Sequence, residues 1–120
     1  MEEILRMIEE LKEKSRDGWV IVVEGIKDRN ALRMLGIEGE IVIFSGFLST
    51  AERLKGKNVV ILTDFDERGI KIEKGLMKVL TGYGKADVSI KKRIFHYLKK
   101  DVTKVEEIYT YFRREGYGGV

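Results

Sequence analysis

The chain contains no cysteine and no proline, and only one histidine, His96. Without cysteine there are no disulfides and no thiolate metal sites, and a cytoplasmic setting is the default expectation. A solitary histidine with no thiol to join it argues against zinc. No apolar run approaches the roughly 20 residues that span a bilayer. The acidic Met-Glu-Glu start does not read as a signal peptide. Neither sign of charge dominates: 23 Lys and Arg against 20 Asp and Glu leave a net charge of +3 and a pI near 9.1. That balance permits a polyanionic partner without demanding one.

What is present is a folded, heavily charged chain of 120 residues, 43% hydrophobic and 36% charged. This length suits a single domain over residues 1–120 with one core. Abundant Lys, Arg and Glu with no Cys would suit a thermophile. Residues 2–14 place Ile4, Leu5, Ile8 and Leu11 on one helical stripe, which Asp17-Gly18 should end. WVIVVEG, EIVIFSG and NVVILT read as buried strands, continuous and β-branched. Asp28 stands where a helix carrying Ala31, Leu32 and Leu35 should begin. Ser49-Thr50-Ala51-Glu52 fits a capping box with Ser49 as the cap of a helix reaching about Lys55.

After Asp66 a further helix buries Ile72, Leu76, Val79 and Leu80 before Gly82, and Gly75 within it points to close packing. KADVS fits a fourth short strand. Two C-terminal helices follow over about 90–115, one through Ile90, Ile94, Tyr97 and Leu98, the other through Val102, Val105, Ile108, Tyr109 and Phe112. The alternation predicts an α/β fold, a Rossmann-like open parallel sheet of about four strands with helices on both faces.

In such a sheet, the loops leaving the carboxyl ends of the strands line the ligand crevice. Glu24 ends the first strand, Ser45-Gly46 the second, and Asp64 and Asp66 the third. Carboxylates converging there repel one another unless a positive charge lies between them, and hard oxygen donors suit Mg²⁺ or Mn²⁺. Each acid alone has an ordinary structural explanation: Asp66 as a helix cap, Asp28 likewise. Their joint placement on two strand tips carries the functional reading.

Val23-Glu24-Gly25-Ile26-Lys27-Asp28, followed later by Asp64-Phe65-Asp66-Glu67-Arg68-Gly69, resembles the Toprim domain of primases, type IA and type II topoisomerases, recombination-repair proteins and small ribosomal-RNA maturation nucleases. The resemblance covers about residues 18–90. It implies that Glu24 acts as general acid/base and also touches the metal, that Asp64 and Asp66 bind Mg²⁺ (or Mn²⁺), and that Gly25 lets the backbone approach a phosphate. Lys27 and Arg68 are the implied phosphate or nucleic-acid contacts.

The resemblance also brings out what the chain does not have. Topoisomerases of the family cut with a tyrosine on a separate domain. Tyr83, Tyr97, Tyr109, Tyr111 and Tyr117 here fall in helices, turns or the tail of the one domain, so none is a nucleophile candidate. The accessory modules of primases do not fit this length. In IKKRIFHYLKK, residues 90–100, Phe95, His96 and Tyr97 stand among basic residues. That pattern could track a phosphate backbone, although the apolar stripe argues for a core helix with the lysines as its wet face.

The leading expectation is therefore a Mg²⁺-dependent enzyme acting on nucleic-acid phosphodiesters, a small nuclease or RNA-processing factor with RNA or DNA as partner. The alternative is a non-catalytic nucleic-acid-binding or assembly module that joins other proteins or a second copy of itself. A phosphatase or receiver-type domain ranks lowest, because the Asp-x-Asp follows the third strand and is trailed by Glu-Arg-Gly.

Overall fold

The computed structural model describes residues 2–116; Tyr117 lies outside them. Six α-helices and four strands alternate along the chain: α1 Glu2–Arg16, β1 Val20–Val23, α2 Ile26–Met34, β2 Ile41–Ile43, α3 Phe47–Leu54, β3 Val59–Ile61, α4 Glu67–Val79, β4 Ala86–Asp87, α5 Ser89–Leu98 and α6 Glu106–Arg114. A single 3₁₀ turn, Lys99–Asp101, follows α5. The strands form one all-parallel sheet in the order β2-β1-β3-β4. This is the α/β architecture that the sequence predicts.

Both sheet faces are covered, which is why the strands are apolar on both sides. Ile21, Val23, Val60 and Leu62 pack with Ile4, Leu11, Leu32, Ile90, Ile94 and Ile108, so α1, α2, α5 and α6 share one face. Val20, Val22, Val59 and Ile61 turn the other way, onto Ala51 and Leu54 of α3 and Ile72 and Leu76 of α4. Between α3 and α4, Gly75 faces Phe47 so closely that a Cβ would strike the ring, which accounts for a glycine in mid-helix.

Four local expectations need correction. The last helix begins at Glu106, so Val102 and Val105 precede it. Asp28 does not cap α2: Gly25 does, and Asp28 sits a turn inside with its carboxylate accepting the Gly25 N–H at 3.0 Å. Ser49 does not open α3. That helix starts at Phe47 behind Gly46, whose φ of 105° suits glycine, and the Ser49 hydroxyl donates back to the Ser45 carbonyl. Lys91 does not lie on the wet face of α5 but is 1% exposed.

Candidate functional site

The strand order decides where a ligand crevice can form. After β2 the chain crosses β1 to build β3, so the topological switch point lies between β1 and β3. The residues leaving those two strands are Glu24 and the Thr63–Gly69 loop. The structure brings them together: Glu24 Oε2 accepts the Asp64 N–H at 2.7 Å, while Glu24 Oε1 faces the Arg68 guanidinium at 3.2 Å. The Glu24 side chain is 6% exposed and that of Arg68 73%, so a fixed acid meets a movable base.

Asp64 is partly buried, and its Oδ1 accepts the Val105 N–H at 2.7 Å. Burial above all, then the neighbouring charges of Asp28 and Glu24, pushes its carboxyl up to about 6, against the opposing pull of the Val105 N–H and Lys104. Asp66 moves the other way. It caps α4, taking the Gly69 N–H at 2.8 Å, and lies 3.3 Å from the Lys104 ammonium. Those contacts, the Gly69 N–H first, hold it below the usual carboxylate range, and Asp66 and Asp64 in turn raise Lys104.

Asp28 and the segment Thr103–Glu106 also join this edge, where the sequence reading did not place them. Asp28 is 7% exposed, and burial raises its carboxyl, with Glu24 and Glu106 adding to the effect against the Gly25 and Glu106 N–H groups. The segment Thr103–Glu106 meets the acids by backbone and ammonium, and no local pattern in the sequence announces such a long-range contact. Thr103 also accepts the Phe65 N–H at 2.7 Å.

Beneath the loop lies Lys91, whose ammonium donates to Thr63 Oγ1 at 2.8 Å and Glu73 Oε1 at 2.7 Å. The Thr63 hydroxyl passes the chain on to the Gly69 carbonyl at 2.8 Å. Gly69 is itself pressed against the Asp64 backbone, where a Cβ would clash with the Asp64 carbonyl. No rotamer relieves a backbone clash, so Gly69→Ala should cost about 1–3 kcal/mol. Thermal melts check the cost, and loss of the acidic loop's geometry should accompany it.

Gly25 behaves differently. Its φ is −154°, and the nearest atom to a Cβ there is Asp28 Oδ2 at 3.9 Å. Nothing in the protein requires a glycine at that position, and the space before it is open. Lys27 is exposed beside it. Ser45, at the tip of β2, uses its N–H on the buried Thr50 hydroxyl and adds no carboxylate to the crevice.

Among the described residues, no three His, Cys, Asp or Glu side chains are grouped to hold one metal ion. The donor chemistry nevertheless fits a hard divalent cation, which takes one or two carboxylates and otherwise water or phosphate. Lys104 stands in for such a charge: its ammonium contacts Asp66 and feels Asp64. No described helix is long and apolar enough to cross a membrane.

A family model described as the Toprim domain matches residues 19–98. The chain is 54% identical to a UPF0292 protein of Archaeoglobus fulgidus over 108 residues, 89% of this chain and 87% of the relative. It is 33% identical to a UPF0292 protein of Methanocaldococcus jannaschii over 119 residues, 94% of this chain and 92% of the relative. A solved structure of a protein from Aquifex aeolicus superposes with a TM-score of 0.73 at 27% identity, covering 85% of this chain and 94% of that one.

Proposed function

The chain belongs to the Toprim domain family, a family of metal-binding domains in nucleic-acid chemistry, and on that premise we propose that it is a Mg²⁺-dependent phosphoryl-transfer domain acting on nucleic-acid phosphodiesters, a small nuclease or RNA-processing factor. The observation that carries this reading is the bond from the Asp64 N–H to Glu24 across the switch point, which sets acids from two strands side by side.

In this reading Asp64 and Asp66 hold the divalent cation, with Glu24 beside Asp64. When bound, the cation neutralises charge developing on the phosphate. Glu24 is the proton-transfer group: its Oε2 is fixed by the Asp64 N–H, which leaves Oε1 to take or give a proton at the reacting oxygen. Arg68, mostly solvated, turns from Glu24 to a phosphate oxygen, as its planar fork of donors allows. Lys27 adds a second positive charge, and the open space before Gly25 admits the sugar-phosphate chain.

Incubation with labelled structured RNA and DNA tests the proposal. Cleavage in Mg²⁺, none in EDTA, and a fall of about 100-fold or more in Glu24→Gln are expected. Failure to cut any substrate, or cutting unaffected by Glu24→Gln, would overturn it. One observation favours a second reading, a nucleic-acid-binding or assembly module with a vestigial metal site: Lys104 already occupies Asp66, and each of the three acids has a protein partner. Salt-dependent binding that persists in EDTA, with no turnover in Mg²⁺, would select it.

A further inference from the structure

Behind the acidic loop, between α1 and α5, lies an open groove of about 970 Å³. The sequence treats Phe65 as the spacer of Asp-Phe-Asp, yet the residue lines this groove and is 41% exposed. It lies on the buried Phe95 ring, with centroids 5.5 Å apart and planes 12° from parallel. Met7 and Tyr97 continue the apolar wall. Such a volume falls within the ~300–1,000 Å³ range of small-molecule sites.

We propose that this groove is a stacking subsite for an unpaired nucleobase, held on Phe65 next to the phosphate that meets Asp64 and Asp66. It rests on the reading that the acidic edge receives a phosphodiester. Three observations choose this occupant. First, Phe65 lies between the two aspartates in the chain, so a base stacked on it brings its own phosphate to the acidic edge. Second, the groove's rim is cationic: Lys92 and Lys99 line it and form no ion pair among the described residues, whereas its acid, Glu3, is bonded to Arg6. That charge complements a polyanion and not an apolar peptide. Third, the Phe65–Phe95 stack is flat and anchored, with the Phe65 N–H fixed on the Thr103 carbonyl. An aromatic face held in this way stacks any base, independent of sequence.

A duplex keeps its bases inside, so the subsite distinguishes single strands and loops from double helix. Anisotropy of labelled oligonucleotides with the full chain, in EDTA at fixed salt, tests this without turnover. A single strand should bind more tightly than a duplex of the same sequence. Phe65→Leu should weaken the single strand about tenfold, and Phe65→Trp should retain its affinity. Duplex affinity should change less than about twofold in either variant, since duplex binding is phosphate-driven. Melting curves that match the wild type show that the variants are folded.

Equal affinity for both forms, no effect of Phe65→Leu, or no binding of either form would overturn the proposal. Concentration-dependent self-association abolished by Phe65→Leu would also overturn it, assigning the groove to a second copy. Phe65-dependent binding without cleavage in Mg²⁺ would uphold the subsite while removing the nuclease, and cleavage indifferent to Phe65 would do the reverse.

Discussion

Lys91→Met should lower stability by about 3–5 kcal/mol, the usual cost of breaking a buried ion pair from one side. For a domain of this size, that is a fall of roughly 15 °C in the melting temperature. The ammonium of Lys91 is bonded to Glu73 and Thr63, and the two side chains of the ion pair are 1% and 13% exposed. Methionine fills the stem's volume but strands the Glu73 carboxylate against an apolar wall. Lys91→Met combined with Glu73→Leu should recover most of the loss, because no charge is then left alone. Calorimetric melts of the two variants decide the matter. A Lys91→Met melt equal to the wild type would mean that the pair contributes nothing.

Asp64→Asn should act in the opposite direction on stability and abolish cation binding. Asp64 titrates at about 6 in the folded chain against an ordinary 3.8. Between those values the unfolded chain has released the proton and the folded chain has not, so stability falls as pH rises through the window. Above it the cost is complete. Asparagine removes the charge and its Oδ1 still accepts the Val105 N–H. With solvent screening allowed for, the gain at pH 7.5 should be about 1 kcal/mol, or about 4 °C. It should shrink toward pH 4 and vanish below about pH 3, where the aspartate is protonated in both states. Melts of wild type and variant across pH 4–8 show the sign: a variant less stable than wild type at pH 7.5 would contradict the account. A cation competes with the same proton, so Mg²⁺ affinity of the wild type should fall below about pH 6.

Much of this protein was legible before any coordinates. Each of the first three strands is announced by a β-branched run, and a parallel sheet between two helical layers follows from the alternation. The acids of the switch point are visible because a strand's end fixes the edge on which its next residue lies, so Glu24, Asp64 and Asp66 could be assigned to one rim. The C-terminal third resisted for a physical reason. Lys91 sits on a helix whose other long basic side chains, Lys92 and Arg93, are solvated, and only the tertiary position of Thr63 and Glu73 makes it a core residue. Val102 and Val105 are buried without being helical, because they dock the segment that reaches the acids. Lys104 belongs to the site through a contact with a residue 38 positions away, and sequence periodicity carries no information about such pairs.

Anomalous diffraction from manganese-soaked crystals tests the central claim directly. The account predicts a peak at the carboxyl edge between Asp64 and Asp66, beside Glu24, with the Lys104 ammonium displaced from Asp66. An empty edge at saturating Mn²⁺, with the Lys104–Asp66 contact of 3.3 Å intact, would contradict it.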